Sequence, residues 1–141
     1  MASFNKFNKT VLSFGTAGFN FSSDSINVGL SNTAPNATNN QNWSDITEIA
    51  AGNGYSAGGA AVGSVSWTQT GGVATLAGNA VTWTASGGSI GPFQYAVLYD
   101  ATSGKLLGWW DYGSALTITS GNSFTVKPNN QLTGGTLLTL A

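Results

Sequence analysis

Phe93 to Asp100 (FQYAVLYD), the linker Ala101-Thr102-Ser103-Gly104, and Lys105 to Tyr112 (KLLGWWDY) together decide the fold. Both flanking runs are rich in aromatic and branched residues and contain no helix-forming charge pairs. Such residues fit a pleated, half-buried surface. The short linker then reads as a hairpin turn. Asp100 can cap it through its carboxylate, and Gly104 supplies the left-handed residue that closes such loops.

The same grammar extends outward in both directions. Ser25 to Ser31 alternates Ile26, Val28 and Leu30 with small or polar residues, the period of a strand. Val65, Trp67 and Gln69 share one strand face. Gly71-Gly72 marks a tight turn into Val73 to Ala77. Ala80 to Ala85 turns Val81 and Trp83 inward, and Gly87, Gly88, Gly91 and Pro92 break the chain. Leu116/Ile118 and Phe124/Val126 flank Gly121-Asn122, which predicts a second hairpin. Leu137, Leu138 and Leu140 form a final strand. Turn signals recur roughly every 8–12 residues, as in an all-β antiparallel sandwich or barrel. The expected fold is an all-β, antiparallel β-sandwich of jelly-roll type with about eight strands.

Two segments depart from this pattern. Phe4, Phe7, Val11, Leu12 and Phe14 are spaced by threes and fours, so residues 1–20 are expected to be an N-terminal arm or short helix. Residues 21–141 would form a single domain. Asp45 and Glu48 have capping-box spacing, which predicts a short helical turn near residues 44–50. The Asn-rich run 32–42 reads as an exposed loop. Gly52 to Gly63 is too glycine-rich for a helix, and Tyr55 is its one anchor.

Composition narrows function. The chain has 141 residues, four lysines, five acids, no histidine and no cysteine, for a net charge of −1. Four lysines cannot neutralise a run of phosphates, so no nucleic-acid partner is expected. No stretch approaches the roughly 18 apolar residues of a membrane span. Nothing offers a thiolate, an imidazole base or a histidine–cysteine metal set, so no catalytic residue, cofactor or metal is expected, and the chain is read as a non-enzyme. Asp100 and Asp111 lie on paired strands. They read as a turn cap and a solvated strand end rather than as a glycosidase pair.

The contact candidates are aromatic and apolar. In Trp109-Trp110-Asp111-Tyr112 neighbouring side chains point to opposite faces, so one tryptophan enters the core and the other faces out. Trp110 is read as covering a sheet edge or its hairpin partner, or as part of a contact platform with Tyr112 for a protein or a sugar ring. Tyr55 is a further candidate. Leu137, Leu138 and Leu140 either complete the domain's own sheet or add a strand to a neighbour.

The stretches SDITEIAAGNGYSAGG (44–59) and VTWTASGGSIGPFQYAVLYDATSGKLLGWWDYGSALTITSGNSFTV (81–126) resemble head-decoration, or cement, proteins of tailed bacteriophages. The resemblance spans about 80 of the 141 residues. It implies a jelly-roll structural protein made in the bacterial host cytoplasm and located on the virion capsid surface. There it would bind the major capsid protein, bridge its subunits and self-associate as a dimer or trimer. The reading from another class is a carbohydrate-binding or adhesin module of a phage tail or fibre.

Overall fold

The computed structural model describes residues 2–141. In chain order it contains β1 (Ser3–Lys6), α1 (Thr10–Gly15), β2 (Ile26–Ser31), β3 (Ala60–Ala61), β4 (Ser66–Thr70), β5 (Val73–Gly78), β6 (Val81–Thr84), β7 (Ile90–Asp100), β8 (Leu106–Ile118), β9 (Ser123–Val126) and β10 (Gly135–Leu140). The strands form a five-stranded sheet in the order β1-β8-β7-β2-β3, a three-stranded sheet β10-β5-β4, and the pair β6-β9. All pairings are antiparallel. The protein is an all-β sandwich, as the alternation predicts. It has ten strands among the described residues where about eight were expected.

The β7–β8 hairpin is the spine. Asp100 Oδ1 accepts the Thr102 and Ser103 amides at 2.9 and 3.0 Å, and Gly104 has φ of 77°. Ala96 and Leu98 face the main core with Trp110, whereas Val97 and Tyr99 face the other way with Leu106. The main core lies between the large sheet and the two smaller ones. It joins Ile26, Val28 and Leu30 of β2 to Leu76 of β5, Trp83 of β6, Val126 of β9 and Leu137 of β10. The Gly71-Gly72 turn carries positive φ at both positions (59° and 83°), matching the twist of the β4–β5 hairpin it closes.

The outer face of the large sheet is also covered. Trp43 stacks on Tyr99 with centroids 4.2 Å apart, and Phe7 packs on Trp109 at 4.6 Å. The first residues are therefore built into the sheet. β1 pairs with β8, Phe7 is fully buried, and the short helix begins only at Thr10. Thr10 Oγ1 donates to the carbonyls of Leu106 and Leu107, which fixes α1 to β8.

Three local expectations are corrected. The helical turn spans Trp43–Asp45, and its capping box joins Asn42 to Asp45. Glu48 instead accepts the Tyr55 hydroxyl and the Gly58 amide. Gly121-Asn122 does not close a hairpin between neighbouring strands. The end of β8 pairs with the start of β7, while β9 crosses to pair with β6. The glycine and proline residues before Phe93 do not all break the chain. Ile90 already belongs to β7, and irregular register absorbs Gly91 and Pro92.

Candidate functional site

Four of the seven contact candidates are core residues. Tyr55 is 2% exposed, and its hydroxyl bridges the Leu30 amide at 2.9 Å and Glu48 at 2.7 Å. Burial pushes its phenol well above the ordinary tyrosine range. Tyr55 is thus a strut under the glycine-rich segment and presents no surface. Of the two tryptophans expected to face opposite ways, Trp110 faces the main core and Trp109 is the outward, half-buried one, so Trp110 does not cover a sheet edge as a surface group. The burial of Leu137 and Leu138 follows from the pairing of β10 with β5, which completes this chain's own sheet. Leu140 remains exposed at the strand end.

Trp110, Tyr112 and Leu137 nevertheless meet at one place. β1 and β10, each the last strand of its sheet, both line one opening. A cleft of about 550 Å3 opens there, within the size range of ligand pockets. Phe4, Trp110 and Tyr112 give it aromatic walls. Phe4 meets Trp110 edge-on at 4.9 Å, and Tyr112 meets Phe124 edge-on at 5.1 Å. Burial raises the Tyr112 phenol, and no hydrogen bond opposes that rise. Lys127, Asn129, Asn130 and Thr136 bring polar groups to the same cleft. Asn129 and Asn130 both adopt left-handed backbone, with φ of 46° and 60°. A second, shallower groove continues past Phe4 and Leu137 to Lys6.

Sequence reasoning passed over Phe4, Lys127, Asn129 and Asn130. The only local signal was the turn chemistry of Pro128-Asn129-Asn130, since nothing in spacing joins residue 4 to residue 130. It also passed over Val11 and Leu12 as surface groups. They stand 53% and 56% exposed on α1, while Phe14 of the same helix packs on Phe19, Phe21 and Trp67.

The carboxylates serve structure. Asp45 accepts the amides of Gln41 and Asn42, which hold its carboxyl below the usual range. Asp111 is bonded by Gln94 and by the Gly113 amide, with the same effect. Asp100 is fully buried. Its Oδ2 lacks a donor, and desolvation, reinforced by neighbouring Asp24, raises its carboxyl to about 6.

Comparison with family models, with curated proteins and with solved structures finds no match to this chain.

Proposed function

We propose that this chain is a non-enzymatic structural protein of the virion, a head-decoration protein that binds the outer face of a capsid and bridges its subunits. The observation that carries the reading is the exposed Val11–Leu12 pair on a helix fastened to the sheet. An isolated six-residue helix has too few hydrogen bonds to stand alone in water. This one is held by Thr10 below and by Phe14 packed on Phe21 and Trp67. It therefore offers two aliphatic side chains on a rigid mount, the arrangement of a small interface anchor.

Three further features support the reading. The sequence resembles cement proteins over its β-rich half. The sandwich carries hydroxyl and amide surface with little charge, which suits many weak contacts made at high local concentration. The acids act as internal caps. Docking would use the helix and the adjoining surface, with self-association at the capsid.

The test is reassembly. Capsids stripped of decoration are incubated with the purified chain and imaged by electron microscopy, and the bound protein is quantified. The expected result is regular surface knobs in a copy number commensurate with the shell. Absence of binding, or a few copies confined to the tail, would refute the proposal.

A further inference from the structure

The cleft between β1 and β10 is not needed for the decoration reading and does not depend on it. Its chemistry is that of a ligand site. Phe4 and Tyr112 are half-buried, with part of each ring facing the opening. The Tyr112 hydroxyl and the amides of Asn129 and Asn130 make no side-chain hydrogen bond to a described residue. Aromatic walls beside unengaged amides and hydroxyls match the two characters of a pyranose ring, an apolar C–H face and a polar rim. Two successive non-glycine residues in left-handed backbone set the amides at the cleft, and such strained residues gather at binding sites.

Charge narrows the ligand. Each of the five carboxylates accepts at least one hydrogen bond within the fold: Asp24 from the Asn20 amide, and Asp45, Glu48, Asp100 and Asp111 as described above. Lys9 and Lys105 are also engaged, by the Asn39 carbonyl and the Asn42 side chain. The two remaining lysines, Lys127 and Lys6, have no partner among the described residues, and they line the cleft and its continuation. Among the described residues no acid lines either space. The two lysines without a partner among the described residues thus lie along one groove, where the local field favours an anion.

We propose that this cleft binds a carboxylate-bearing saccharide of the uronic-acid type. The ring lies against Tyr112 and Phe4, its hydroxyls reach Asn129 and Asn130, and its carboxylate meets Lys127. Lys6 receives the next acidic unit of a chain.

The test titrates the full chain with trigalacturonate, neutral maltotriose and a hexaglutamate peptide, read by calorimetry and by intrinsic tryptophan fluorescence, to which Trp110 at the cleft contributes. Trigalacturonate is expected to bind saturably and about tenfold tighter than maltotriose, the size of one charge-assisted hydrogen bond. That affinity falls with added salt. Lys127→Ala weakens it several-fold and Lys127→Ala with Lys6→Ala reduces it to the maltotriose level, Tyr112→Phe weakens it several-fold, and Lys9→Ala leaves it unchanged. Urea unfolding of each variant confirms that the fold is retained. The proposal is overturned by the absence of saturable saccharide binding or by uronate binding indifferent to Lys127→Ala. It is equally overturned by tighter binding of hexaglutamate, which would make the groove a peptide site.

Discussion

Asp100 carries two opposed duties. One oxygen caps the β7–β8 turn, while the other is buried beside Asp24 with no donor. The native carboxyl, raised to about 6 from an ordinary 3.8, keeps a proton that the unfolded chain has already lost between those values. Stability from this group therefore falls as pH rises from about 4 to 6 and levels off above that. Asp100→Asn keeps the turn acceptor and turns the orphan atom into a donor toward Asp24. The variant is expected to gain roughly 1–2 kcal/mol at pH 7, a figure discounted for the partly exposed Asp24, and to lose the pH slope. Urea unfolding at pH 4.5 and 7.5 reads both effects, and a variant weaker than the parent at both would refute the account. Tyr55 makes a second residue-scale prediction. Tyr55→Phe removes one oxygen and strands the buried Leu30 amide, so the unfolding midpoint should drop by the equivalent of about 1–3 kcal/mol.

At the scale of elements, β1 and β10 are the strands whose places could not be read locally. β1 is four residues long and gains its position from pairing with β8 and from Phe7, which seals the outer face against Trp109. Phe7→Ala should cost about 3–5 kcal/mol, the usual toll for emptying a buried aromatic site. It should also speed amide exchange along β1, and unchanged exchange there would mean that Phe7 does not dock the strand. The glycine-rich segment makes a sharper case. Gly59 has φ of 79°, and a Cβ there would collide with the Val28 backbone. Gly59→Ala should release β3 from β2 and lower the thermal midpoint, whereas alanine at Gly71, where nothing crowds the position, carries only the backbone penalty.

At the scale of the whole molecule, the exposed helix pair separates folding from attachment. Val11→Ser with Leu12→Ser removes apolar groups that lie in water, so stability should change by no more than about 0.5 kcal/mol per site. Retention on capsids should fall sharply in the same variant. Equal retention by variant and parent would remove the helix from the proposed contact. The cleft between β1 and β10 is lined by other residues and should be untouched, so the two surfaces can be tested in one preparation.

Local features were legible from the order of residues. Alternation set the strands, Asp100 and Gly104 set the spine hairpin, Gly71-Gly72 set the I′-type turn, and the two neighbouring tryptophans were bound to face opposite ways. These features depend on a residue's own dihedral preference or on neighbours a few positions away. Long-range packing settled the remainder. It turned Trp110 inward rather than Trp109, sent β9 to β6 instead of back along β8, and assigned Glu48 to Tyr55 rather than to a helix start. It also brought Phe4, Tyr112, Lys127 and Asn130 to one opening. Each of those outcomes is a pairing across a long stretch of chain, chosen by which apolar faces can close over one another. Period-two alternation says that a side chain changes face at every step, but only packing says which face becomes the inside.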